Sequence, residues 1–292
     1  MNKELLAASL PLLPSGLQNP VRQWLDRRPF AARLAPDEIA AWQALSGLDG
    51  DQLMLALLPL ARCFAHPGIS EFYVGAIVAG ASGSWYFGAN QEFAGATLAM
   101  TIHAEQCAIT HARQAGETRL STLAVNYSPC GHCRQFMSEI DEELSLRVLL
   151  PGRPALTLKD YLPDAFGPWD LDKPQRLLGP TNLSLAATSA DPLHQAAAQA
   201  ASHSHSPYSG TAAGVALQMG ERLVTGSYLE NAAYNPSLPP LQAALILAAM
   251  EGLPWQASRL VLAQHLGKVD LFESTAQLAK ALGLPAPELL DL

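Results

Sequence analysis

Leu120-Ser121-Thr122-Leu123-Ala124-Val125-Asn126-Tyr127-Ser128-Pro129-Cys130-Gly131-His132-Cys133 is the stretch on which the fold turns. Its first eight residues read as a buried strand. Pro129 then opens a helix carrying Cys130, Cys133, Phe136 and Met137, since proline is favoured near a helix start. Upstream, the segment from Ile102 to about His111 has helical periodicity. Further back, Phe72–Val78 and Trp85–Phe87 are apolar runs punctuated by Gly75, Gly80, Gly83 and Gly88, the pattern of a hairpin. Downstream, Leu146–Leu150 is another strand. Strands alternating with helices in this way predict an α/β fold, a sheet covered by helices.

The two cysteines have a partner sequence, His103-Ala104-Glu105, which begins 27 residues before Cys130. His103, Cys130 and Cys133 offer one imidazole and two thiolates to a borderline-soft cation. That is one ligand short of a closed tetrahedral zinc site, so the fourth position stays open for water, as in catalytic zinc sites. Glu105, two residues past the histidine, is placed to take a proton from that water. A C-x-x-C pair alone also suits a redox couple or half of a structural zinc site. The upstream His-x-Glu and the leading Pro129 favour the H-x-E…P-C-x-x-C pattern of zinc nucleobase deaminases. His132, flanked by two ligands, is expected not to ligate.

Composition narrows the choices. The chain has 292 residues, 49% of them hydrophobic and 15% charged, enough for two domains with well-buried cores. Its net charge of −8 comes without any run of Lys or Arg, which disfavours polynucleotide binding. Cys63 and Cys107 sit in apolar surroundings and imply no disulfide framework. The Leu-rich start is interrupted by Glu4, Pro11 and Pro14, and no apolar run approaches a membrane span. A reducing, cytoplasmic setting and no membrane partner are expected.

Residues 1–48 read as a helical extension without catalytic residues, 49–168 as the catalytic domain, and the Pro- and Gly-rich 169–190 as a linker. Residues 191–292 repeat the first domain. Gly75-Ala76-Ile77 matches Gly214-Val215-Ala216, Gly88 matches Gly226, and Glu92 matches Glu230. In the second copy Pro239 stands at the histidine position and Leu241 at the Glu105 position, and no cysteine follows Cys133. One zinc per chain is therefore expected. His203 and His205, in Ser202-His203-Ser204-His205-Ser206, have no Cys or carboxylate close in sequence and are expected to be solvated or capping.

Taken together, these motifs resemble the cytidine deaminase family in its longer form, which carries a catalytic and a degenerate domain. The resemblance spans roughly residues 50 to 250. Its residues are Phe72-Tyr73-Val74-Gly75-Ala76, Gly88-Ala89-Asn90-Gln91-Glu92, His103-Ala104-Glu105, Pro129 to Cys133 and Tyr161 to Phe166. Pro207-Tyr208-Ser209 and Gly226 to Ala232 continue it in the second copy. The resemblance implies a duplicated three-layer α/β/α sandwich and hydrolysis of free cytidine and 2′-deoxycytidine to the uridine forms, with Glu105 as proton shuttle. It implies that Asn90 and Glu92, with Gln91 between them, hold the ribose 3′-hydroxyl and that Phe72 packs on the pyrimidine. It further implies that backbone at Ala104 recognises the base, and that Phe166 covers the site of a neighbouring subunit in a homodimer. A deaminase of single-stranded nucleic acid is disfavoured by the acidic charge and the Asn-x-Glu element. A purely structural zinc protein is disfavoured because no fourth ligand is evident.

Overall fold

The alternation of apolar runs with helix-periodic segments becomes two sheets in the computed structural model, which describes residues 1–292. In chain order the elements are α1 (Lys3–Ser9), α2 (Ser15–Leu25), β1 (Arg33–Leu34), α3 (Pro36–Ser46), α4 (Gly50–Ala61), β2 (Gly75–Gly80), β3 (Trp85–Ala89) and α5 (Ala104–Gln114). Then come β4 (Leu120–Val125), α6 (Gly131–Met137), β5 (Arg147–Leu149), β6 (Leu156–Thr157) and α7 (Leu158–Tyr161). The second copy comprises α8 (Pro192–Ser202), β7 (Ala212–Met219), β8 (Arg222–Ser227), α9 (Pro240–Met250), β9 (Arg259–His265), α10 (Phe272–Ala281) and β10 (Glu288–Asp291).

One sheet runs β1-β3-β2-β4-β5-β6 and the other β10-β9-β7-β8. The order β3-β2-β4-β5 is repeated as β8-β7-β9-β10, with the last pair parallel and the others antiparallel in both. Registers agree as well: Ala76 faces Gly88, and Val215 faces Gly226. Both glycines exist for the same reason. A Cβ on Gly88 would lie 2.2 Å from the Ala108 nitrogen of α5, and one on Gly226 would lie 2.2 Å from the Ala244 nitrogen of α9. Each helix thus rests directly on strand backbone, a separation that any side chain would prevent.

α5 and α9 pack on each other between the two sheets, while α4 and α8 cover the outer faces. Each sheet therefore has helices on both faces, the three-layer sandwich occurring twice. One core cluster of 69 buried residues runs from Leu10 in the extension to Leu284 near the end, so both copies share apolar packing. No helix is long and apolar enough to cross a membrane.

Three local expectations change. The extension is not wholly helical, because Arg33 and Leu34 form β1 on the sheet edge against Tyr86 and Trp85. β4 ends at Val125, and Tyr127 turns outward and is exposed, since the chain bends at Asn126 to enter α6. The cysteine helix starts two residues later than Pro129 suggests, at Gly131, with Cys130 as its N-cap.

Candidate active site

Both ligand-bearing segments are helix starts. His103 is the N-cap of α5 and Cys130 the N-cap of α6, which puts Glu105 in the first turn of α5 and Cys133 in the first turn of α6. An N-cap residue has extended backbone, so its side chain leaves the helix axis and reaches across the gap between two helix ends. Because β4 delivers α6 beside α5, the two caps meet. His103 Nδ1 lies 3.4 Å from Cys130 Sγ and 3.3 Å from Cys133 Sγ, and the two sulfurs are 3.7 Å apart.

These spacings test whether the residues fit zinc. A tetrahedral ion bonded at about 2.3 Å to sulfur and about 2.0 Å to nitrogen holds its ligands roughly 3.5–3.8 Å apart. The trio is within a few tenths of an ångström of that arrangement, and it contains three protein ligands and no fourth. Two helix N-termini converge here, so backbone dipoles favour anionic sulfur. Hydrogen bonds from Cys133 and His103 pull the Cys130 thiol down to about 3. The donor set and spacing fit zinc.

Beside the trio is a cavity of about 220 Å³, lined by Phe72, Asn90, Glu92, Ala104 and Glu105 among others. Glu105 is 4% exposed. Burial pushes its carboxyl up, against the hydrogen bonds of its own backbone N–H and of Cys133. Asn90 and Glu92 form the opposite wall. Asn90 Oδ1 accepts from the Val74 N–H, and its Nδ2 donates to the Phe72 carbonyl and to Glu92 Oε1. Glu92 Oε2 accepts from the N–H groups of Ile69 and Ser70, and Oε1 accepts from the Ser70 hydroxyl. Burial pushes the Glu92 carboxyl up, but these donors outweigh it and hold it below the usual range. Phe72 stacks obliquely on Tyr127 at 4.4 Å, so two aromatic rings frame the mouth.

Two residues of the expected set lie elsewhere. Gln91 is fully buried behind the cavity wall: its amide donates to the carbonyls of Phe64 and Ala89, and its Oε1 meets His66 Nδ1 at 2.6 Å. Extended backbone explains this: just past β3, Gln91 bridges His66 and Ile102, so with its neighbours facing the cavity it faces away. Phe166, expected at the site of a neighbouring subunit, does not line this chain's own cavity; its ring is exposed, and its carbonyl accepts from Gln135 Nε2 at the end of α6. Val74, Thr101, Tyr127 and Ser128 also line the cavity and were not picked out for it from the sequence. Tyr127 and Ser128 had a signal, because they lead directly into Pro129-Cys130.

His132 stacks on His103 with ring centroids 5.1 Å apart and stays outside the ligand trio. His203 is exposed and holds the Gln199 carbonyl through Nδ1, a capping role. His205 departs from the solvated reading. It is buried at 1% exposure, with Nε2 3.1 Å from Oε1 of Glu139, which follows α6 of the first copy.

The second copy keeps the scaffold of the site without its chemistry. Glu230 Oε2 accepts from the N–H groups of Tyr208 and Ser209, as Glu92 does from Ile69 and Ser70. Pro239 is the N-cap of α9, where α5 has His103, and Leu241 is buried in the place of Glu105.

The zinc-binding region described for cytidine and deoxycytidylate deaminases matches this chain twice, over residues 49–145 and 158–276. Proteins called cytidine deaminase from Yersinia pestis (strain Pestoides F) and Yersinia pseudotuberculosis serotype O:1b (strain IP 31758) are each 48% identical to it over 277 residues, 94% of either chain. The crystal structure of cytidine deaminase from Mycobacterium tuberculosis is 29% identical, covering 41% of this chain and 99% of that one at a TM-score of 0.38. Membership is carried by the sequence matches, which extend through both copies. The chain belongs to the cytidine and deoxycytidylate deaminase family.

Proposed function

We propose that this protein deaminates free cytidine and 2′-deoxycytidine hydrolytically, giving uridine or 2′-deoxyuridine and ammonia. The observation that carries the reading is the placement of a three-ligand zinc trio and a buried carboxylate at one cavity. Zinc held by His103, Cys130 and Cys133 supplies a Lewis acid that makes water nucleophilic near neutral pH. Glu105 accepts a proton from the attacking water and passes it to the ring nitrogen beside the amine-bearing carbon, then takes the proton of the newly added hydroxyl and delivers it to the amino group, which leaves as ammonia. Asn90 and Glu92 offer an amide and a carboxylate to the sugar hydroxyl. Phe72 packs against the base, and the backbone at Ala104 meets its polar edge. The small cavity and the net charge of −8 favour a free nucleoside over a polynucleotide.

The two sheets support residues 49–168 as the catalytic unit and 191–292 as a scaffold, with 1–48 an extension and 169–190 a linker. Exposed Phe72, Tyr127 and Phe166 support a homodimer in which a second copy covers the mouth. Free thiols support a reducing, cytoplasmic setting. The decisive experiment follows the ultraviolet absorbance change on adding cytidine, with and without chelator, alongside metal analysis. Turnover that needs one zinc per chain is expected; turnover indifferent to metal removal overturns the reading.

A further inference from the structure

Glu139 follows the cysteine helix α6 and is buried, at 1% exposure, with no Lys or Arg against it. Its carboxylate instead accepts from three donors, all from the second copy. His205 Nε2 lies 3.1 Å from Oε1, the Tyr208 hydroxyl donates to Oε1, and the Ala232 N–H donates to Oε2 at 3.0 Å. The loop that carries Ala232 also holds α6 itself, where Asn231 Nδ2 donates to the Gln135 carbonyl at 2.8 Å. It also meets the histidine helix, since Gln106 Nε2 on α5 donates to the Pro236 carbonyl at 3.1 Å. One loop, Glu230–Pro236, thus touches both helices that carry metal ligands.

The repeat explains where this loop came from. In the first copy the corresponding stretch, Glu92 onward, leads from the sugar-binding wall to His103. Isolated bridges match position for position: His66–Gln91–Ile102 in the first copy and His205–Leu229–Leu238 in the second. In the first, His66 is occupied by Gln91. In the second, the Leu229 side chain has no acceptor to offer, and His205 turns its Nε2 to Glu139 in the other copy. α6 has seven residues, too few to hold its own shape by backbone hydrogen bonds alone. Its position must come from tertiary contacts, and this loop contacts its C-terminal end.

We propose that the Glu230–Pro236 loop of the catalytically barren copy braces the zinc-ligand helices, with Glu139 and Asn231 as positioning residues whose loss loosens the metal site. This rests on the zinc reading above. The test uses the zinc-loaded full chain and measures the rate of zinc release to a chromophoric chelator, with the melting temperature recorded in parallel. Glu139→Gln and Asn231→Ala should each release zinc roughly 10-fold faster or more, the scale on which supporting residues tune metal affinity. Leu193→Ala is the control. Leu193 lies in the small outer cluster with Ala197 and Val261, away from both ligand helices, so it should lower the melting temperature without speeding release. If Glu139→Gln does not fold, Asn231→Ala carries the test, having lost two side-chain hydrogen bonds, one to the Gln135 carbonyl and one from the Ala233 N–H. Release at the wild-type rate in a folded variant overturns the brace, as does equal acceleration in Leu193→Ala at matched loss of melting temperature. A wild-type chain that binds no zinc instead overturns the metal site itself.

Discussion

Gly88→Ala should disable the enzyme by pushing away the helix that carries His103 and Glu105. The new Cβ would stand 2.2 Å from the Ala108 nitrogen and 2.6 Å from the Ala104 carbonyl oxygen, against ordinary contacts of about 3.5–4.0 Å. Both neighbours are backbone of α5, so no side-chain rotation relieves the clash. α5 must retreat from β3 by about 1 Å, carrying His103 at its cap and Glu105 in its first turn. Overpacking of this kind costs about 1–3 kcal/mol of stability, and a displacement of about 1 Å at reacting groups costs roughly 100-fold in rate. Gly214→Ala provides the comparison. Its Cβ meets the Ala201 nitrogen at 2.2 Å, the same clash, but with α8 on the outer face of the second sheet. Melting temperatures of the two variants, with kcat for cytidine, make the assay. Both should melt lower, and Gly88→Ala alone should lose most of its kcat. A Gly88→Ala enzyme that melts lower yet turns over near the wild-type rate refutes the reasoning, as does equal loss of kcat in Gly214→Ala.

Glu105→Gln should keep its zinc and lose about 100- to 10,000-fold in kcat, the usual contribution of a positioned proton carrier; metal analysis and turnover on one sample decide it. Glu92→Gln replaces a carboxylate that two backbone N–H groups donate to, so KM for cytidine should rise about 10-fold with a smaller change in kcat. His111 should make the fold acid-sensitive. Burial lowers its imidazole to about 4, against the Phe87 carbonyl that Nδ1 faces, so the unfolded chain binds this proton first. Its contribution is fully present above about pH 6.5 and is lost as pH falls toward about 4, some 3 kcal/mol in all. Urea denaturation from pH 7.5 to 4.5 should show a shallower decline for His111→Gln; identical slopes would argue against a buried neutral imidazole. A chain ending near Ser189 would expose the face of α5 that α9 covers, and it should be inactive or aggregate; a soluble, fully active fragment speaks against the scaffold role.

The chemistry was legible in the sequence because it depends on short spacings. His103-Ala104-Glu105 and Cys130-Gly131-His132-Cys133 each span one helix start, so residue order nearly dictates which atoms face the gap. The repeat was legible for a related reason: Gly88 and Gly226 mark the same close approach of helix to strand, and nothing but glycine satisfies it. Gln91 sits between Asn90 and Glu92 in the family pattern, but the sequence does not show that alternation of extended backbone turns its side chain away from theirs and into the core. Tyr127 was read as strand interior, because an apolar run does not announce where the chain bends away to start α6.

By itself, then, the sequence determined the candidate ligand trio, the position of Glu105 beside it, the duplication and the absence of those residue types from the second copy. The tertiary structure alone decided what the second copy is next to. His203 and His205 sit two residues apart in a run of serines, yet one is exposed and the other is buried against Glu139, 66 residues away in sequence. Burial of a polar side chain is settled by which surface packs over it, and that surface belongs to a distant segment that local spacing does not encode.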